Sequence, residues 1–196
     1  MKQSIYKTII CSALPIFFTS CALTNSIQKI NYKPAYVISQ KIAGSKIVKL
    51  EEMKDDRGYA DNKVIFYKKN LYNQTMSGAY VEEQPISVIL LNAIKRGLTD
   101  KGINNATENN SLILRSWLQK LDYQTISGFT TVQLIPEITV KFQLLDSNNK
   151  VVWSDVIAGK SNTRGTNFEK FMPPAIDDLV LKLIENQQFI NELKIN

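Results

Sequence analysis

A two-layer α+β sandwich, a mostly antiparallel sheet with two helices packed on one face, follows from three features of this sequence. Residues 131–146 alternate apolar and polar side chains with the period of a strand that buries one face. Residues 85–101 repeat apolar side chains on a single helical stripe, and so does the stretch after Pro173-Pro174. A one-faced sheet and two one-striped helices can hide their apolar surfaces only by packing as two layers.

Taken in chain order, Lys46-Ile47-Val48-Lys49-Leu50 is the first strand, closed by the polar stretch Glu51 to Gly58. Val64-Ile65-Phe66-Tyr67 and Met76 to Val81 flank a turn at Asn70 to Gln74 and predict a hairpin. Ile86, Ile89, Leu90, Ala93, Ile94 and Gly97 set the helix over 85–101, with Pro85 in its first turn and Gly102 at its end. Asn104 to Asn110 is a polar loop. Leu112 to Tyr123, the alternating run Val132, Leu134, Ile138, Val140, Phe142, Leu144, and Val151 to Ala158 predict a three-stranded meander turning at Ser147-Asn148-Asn149. Pro136 has no N–H to give a ladder, so it predicts a bulge or an edge. The last helix is expected to begin near Pro173-Pro174, with Ile176, Leu179, Val180, Leu183 and Ile184 inward and Asp177-Asp178 near its positive end. Phe189, Ile190 and Leu193 extend it after a break.

With 196 residues, 44% hydrophobic and 21% charged, the chain has the composition of one ordinary globular domain rather than of a disordered or multi-span protein. The net charge of +6 is spread out, and the densest basic cluster is Lys68-Lys69, so no nucleic-acid groove is expected. The complete lack of histidine removes the commonest general base and the commonest metal ligand. With only Cys11 and Cys21 as thiols, neither a disulfide framework nor a thiolate metal site is expected. The expectation is therefore no catalytic residues, no metal and no cofactor.

The N-terminus supplies the most specific signal. Lys2 and Lys7 precede an apolar stretch from Thr8 to Phe18, the layout of a secretory signal, and the stretch is too short for a hydrocarbon core about 30 Å thick. Phe18-Thr19-Ser20-Cys21 then resembles the bacterial lipobox. That resemblance implies cleavage between Ser20 and Cys21, acyl chains such as palmitate on Cys21, and, from Ala22 in place of aspartate, sorting to the outer membrane with the domain facing the periplasm. The chain divides accordingly into a signal peptide (1–20), a lipidated N-terminus and tether (21–44) and a single α+β domain (45–196). The tether is read from the lack of periodicity around Asn25, Ser26, Asn31, Lys33-Pro34 and Gly44, although scattered apolar residues from Ile27 to Tyr36 leave room for part of it to pack on the domain.

The order of elements behind the lipobox resembles the YajG-type family of small bacterial lipoproteins. The resemblance rests on Lys49 to Asp56-Arg57, on Leu98-Thr99-Asp100-Lys101-Gly102, on Leu144-Leu145-Asp146 to Val152-Trp153, and on Phe189-Ile190, and it covers most of residues 45–194. It implies an α+β fold and an envelope location and supplies no catalytic residues. A similar look belongs to the auxiliary lipoproteins of lipid-trafficking ABC transport systems, which would need an apolar groove between helix and sheet.

Charged clusters have plain readings: Asp55-Asp56-Arg57 as a solvated turn, Asp177-Asp178 as helix-start electrostatics, Glu82-Glu83 as residues ahead of a helix. Trp117 and Trp153, placed on neighbouring strands, read as packing rather than as an aromatic platform. Ile126 and Phe129, in the connection between the first two meander strands, are the candidate partner contact. The expected partners are the membrane, through lipid on Cys21, and an envelope protein. Oligomeric state is not legible.

Overall fold

The computed structural model describes residues 23–38, 40–70, 72–105, 112–127, 132–161, 163 and 167–195. Its strands are β1 (Ser26–Ile27), β2 (Val48–Leu50), β3 (Lys54–Asp55), β4 (Val64–Lys69), β5 (Thr75–Val81), β6 (Leu112–Ser127), β7 (Val132–Leu145) and β8 (Val151–Lys160). The helices are α1 (Ile86–Lys101), α2 (Phe168–Ile184) and α3 (Gln187–Leu193). Among the described residues no helix is long and apolar enough to cross a membrane.

The meander is the backbone of the fold. β6, β7 and β8 pair antiparallel in sequence order, and β2 and β3 both pair parallel with β6 as an interrupted edge, making a five-stranded sheet. A three-stranded sheet, ordered β1-β5-β4, stands beside it. Ile138, Val140, Phe142 and Leu144 of β7 are fully buried beneath Ile176, Leu179, Val180 and Leu183 of α2, as the alternating pattern predicts. Gly159 on β8 is where strand and helix come closest: a Cβ there would lie 2.3 Å from the Ala175 carbonyl oxygen, so only glycine fits. α1 ends at Gly102, whose φ of 88° is the left-handed cap conformation.

Pro136 lies inside β7 opposite Tyr123, at the point where β8 ends. The Ser161 N–H donates to the Pro136 carbonyl at 3.3 Å, and the reciprocal bond, which Pro136 cannot donate, falls one residue past the end of β8. The register shifts fall elsewhere, between Leu118 and Lys120 and between Leu144 and Leu145.

Several boundaries differ from expectation: β6 runs to Ser127 rather than Tyr123, so Ile126 lies on a strand and not in the connection, and two further differences bear on the last long helix and the N-terminal segment. α2 starts at Phe168, one turn before Pro173-Pro174, because Asn167 caps it by accepting from the Glu169 N–H at 2.9 Å and Phe168 and Phe171 are buried. Asp177-Asp178 therefore sit in mid-helix and do not serve the helix start. The second of these concerns residues 21–44, expected as a tether with room for part of Ile27 to Tyr36 to pack on the domain: the described part, 23–38 and 40–44, lies against the domain. β1 pairs parallel with β5, Ile30 is buried in the core, and the Ile42 N–H donates to the Lys101 carbonyl at 2.8 Å. We call this segment the strap.

Candidate functional site

The strap is held by two buried carboxylates. Glu82, at the end of β5, accepts from the Ile30 N–H with one oxygen and from the Glu83 N–H with the other. Asp177, on the strap-facing side of α2, accepts from the Tyr32 hydroxyl at 2.8 Å and the Ala35 N–H at 3.1 Å. Burial, and then the hydrogen bond to Asp177, hold the Tyr32 phenol far above its ordinary range. These contacts explain why a charge is tolerated inside α2: each carboxylate oxygen has a donor.

Where the two sheets meet, Arg57 joins them. Its Nε and Nη2 form a fork on Asp55 at 2.8 and 2.6 Å, and its Nη1 donates to the Val64 and Ile65 carbonyls of β4 at 2.8 and 3.1 Å. The guanidinium also stacks 4.6 Å from the Tyr59 ring centroid. The side chain is only 2% exposed, so the expected solvated turn is in fact a buried inter-sheet clamp. The signal was the spacing: Asp55 and Arg57 at i, i+2 on extended backbone share a face.

Next to this clamp an open polar cleft of about 450 Å³ runs between the β4–β5 turn and the middle of β6, lined by Lys69, Asn73, Lys120, Asp122, Tyr123 and Glu137 among others. Lys69 pairs with Asp122, and its N–H donates to the Tyr123 hydroxyl at 2.9 Å. Burial pushes the Tyr123 phenol up to about 12. Most of the cleft's charges are spent on one another, with Lys120 exposed: Asp122 also accepts from the Tyr123 N–H, Glu137 faces Lys160 at 3.6 Å, and each guanidinium nitrogen of Arg57 makes a hydrogen bond. Among the described residues no group of three or more Asp, Glu, Cys or His is placed to hold a metal ion. The arrangement can hold an edge in place.

Side chains meet part of the sheet's outer edge at β8. Lys160 N–H donates to Asp178, Val156 N–H to Asp155, and Lys182 Nζ to the Ala158 carbonyl, each at 2.8 Å. Trp153 and Trp117 are separated by β7 and lie on opposite faces. Trp153 is buried with its ring centroid 4.9 Å from that of Phe189, while Trp117 is half-buried on the outer face under Lys141. They are packing residues and form no platform. Between helices and sheet, Phe142, Phe171, Ile176 and Leu179 are fully buried.

Ile126, on the far part of β6, is 37% exposed. The arm that carries it, from Gln124 to Ser127 paired with Val132 to Ile135, extends past the last β8 pairing at Lys160 and past β3. Phe129, Ser20 and Cys21 lie outside the described residues.

No protein-family model matches the sequence, and no curated protein is similar to it. Among solved structures the fold is similar to a DUF330-family protein from Xanthomonas campestris, with a TM-score of 0.57 and 12% identity over 86% of this chain and 97% of that one. A minor lipoprotein from Acinetobacter baumannii aligns with a TM-score of 0.46 and 17% identity over 76% of this chain and 95% of its own. A lipoprotein from Neisseria meningitidis aligns at 0.33 and 13% over 72% and 99%. The first of these shares the α+β architecture, and at 12% identity the likeness extends to the fold alone.

Proposed function

We propose that this chain is made as a lipoprotein precursor, cut between Ser20 and Cys21 and held on a bacterial membrane by acyl chains on Cys21, with a non-enzymatic accessory role in the envelope. The observation that carries the proposal is the order of a basic leader, an apolar stretch, two small residues and a cysteine at its end. Each buried methylene contributes about 0.8 kcal/mol, so two or three chains on one sulfur give lasting attachment where one chain would exchange. Ala22 behind the cysteine supports the outer membrane and a periplasmic domain.

The non-enzymatic reading is supported by the pairing of Lys69 with Asp122, Glu137 with Lys160 and Arg57 with Asp55 at the polar cleft and by a sequence without histidine. The four stretches that resemble the YajG-type family fall at β2–β3, the end of α1, the β7–β8 turn and α3, which supports membership on order as well as on residue type. The filled helix–sheet interface favours this reading over a lipid-trafficking auxiliary that carries lipid inside the domain. Ile126 and Phe129 are the proposed contact surface.

Cys21→Ala tests the proposal. The variant should leave the membrane fraction and keep the precursor mass; a variant still membrane-bound at the mature mass would contradict it.

A further inference from the structure

Resting on acylation of Cys21, we infer that the end of the domain formed by the start of β1, the β4–β5 turn and the free arm of β6–β7 lies against the bilayer surface, with Leu23, Tyr72 and Ile126 in the headgroup layer. Strand directions bring these three features together. β4 runs alongside β6 in the same sense, since Arg57, just past β3, reaches Val64 at one end of β4 and Lys69 meets Tyr123 at the other. The β4–β5 turn thus projects in the same direction as the β6–β7 arm, and Asn73 and Thr125 line one cleft. β1 is parallel to β5, so the chain ahead of Ser26 heads back toward that same turn.

The strap fixes the distance. Asn25 Oδ1 accepts from the Ala79 N–H at 3.0 Å and the Thr24 carbonyl accepts from Lys68 Nζ at 2.7 Å. From Cys21 to Asn25 the backbone reaches at most about 14 Å at 3.3–3.6 Å per residue. A free coil over the whole segment would instead lift the domain on the order of 25 Å. An acylated sulfur at the membrane interface therefore draws this end of the domain to the headgroups.

The side chains there suit that surface. Leu23 is 56% exposed and Tyr72 85%, and with Ile126 they put two aliphatic groups and one amphipathic ring at the end nearest the anchor. A tyrosine with an apolar body and a polar tip is a headgroup-level residue. Lys120, exposed beside the cleft, adds a cation for phosphate groups.

The test uses the acylated, mature protein in vesicles of phosphatidylethanolamine and phosphatidylglycerol. Leu23→Cys, Tyr72→Cys and Ile126→Cys, and as controls Val88→Cys in the first turn of α1 and Ile195→Cys beside the Ser45–Lys194 bridge, each carry an environment-sensitive fluorophore. Labels at 23, 72 and 126 should shift to the blue and lose quenching by aqueous iodide on vesicles, while those at 88 and 195 stay as in buffer. Acylated protein whose labels at 72 and 126 remain as quenchable as that at 195 would overturn the orientation and leave the anchoring reading intact. An unmodified Cys21 thiol in the N-terminal peptide of the same sample would overturn both.

Discussion

The meander under α2 and the strap that precedes it are held by different kinds of force. In the first, side chains such as Phe142, Leu179 and Leu183 are fully removed from water, and their contribution grows with apolar area. In the second, one buried Ile30 is accompanied by hydrogen bonds aimed at single atoms: Ile30 to Glu82, Tyr32 and Ala35 to Asp177, Ile42 to Lys101. Area-driven packing tolerates small shifts, whereas the strap depends on two carboxylates being where they are. The core should therefore set global stability, and the strap should loosen on its own when one carboxylate is lost.

Phe142→Ala is the strongest challenge to that division. Emptying this site should cost about 4 kcal/mol in denaturant unfolding, and a loss near zero would mean that the sheet–helix core is not the source of stability. Arg57→Ala comes next, at about 3 kcal/mol, because it strands Asp55 and bares two β4 carbonyls. The Asp55→Ala, Arg57→Ala double variant should cost less than the sum of the singles, and strict additivity would count against a coupled clamp. Asp177→Ala should cost roughly 2 kcal/mol, for a tyrosine hydroxyl and an N–H left without their partner. Amide exchange would show the Ala35 N–H accelerating while those of β7 stay protected; equal acceleration in both would erase the distinction.

The smallest effect is with alkali. Burial raises the Tyr123 phenol to about 12 in the folded protein, against an ordinary value near 10. Below pH 10 both states hold the proton and the contribution is complete. Between pH 10 and about 12 the unfolded chain releases the proton first, so stability falls as pH rises. Tyr123→Phe should flatten that decline in part, read from unfolding midpoints across the range, with Tyr32, Tyr36, Tyr59 and Tyr80, also raised by burial, accounting for the remainder.

The periodic elements were legible. The stripe from Ile86 to Leu98 and the alternation from Leu134 to Leu144 put helix and strand within a residue or two of their bounds. α2 was read short because Pro173-Pro174 look like a start, while its true start depends on Asn167 capping and on Phe168 packing against Phe66 and Tyr80. The strap was read mainly as a coil, with only the scattered apolar residues from Ile27 to Tyr36 hinting at packing, because Glu82 and Asp177 are distant in sequence from the groups they hold and single-atom contacts leave no period. The Arg57 clamp was missed for a related reason, since its value comes from β4 carbonyls that only the fold brings near. The placement of Ile126 at an exposed position was legible, but its company with Leu23 and Tyr72 depends on strand direction.

Residue-resolved hydrogen exchange on the mature protein in detergent micelles tests the strap most directly. Protection at the amides of Gln28, Ile30, Ala35 and Ile42, well above that of an unstructured peptide, is the predicted result. Exchange of those four at free-coil rates, with β6 to β8 still protected, would mean that the domain hangs from a loose leash and would contradict the account.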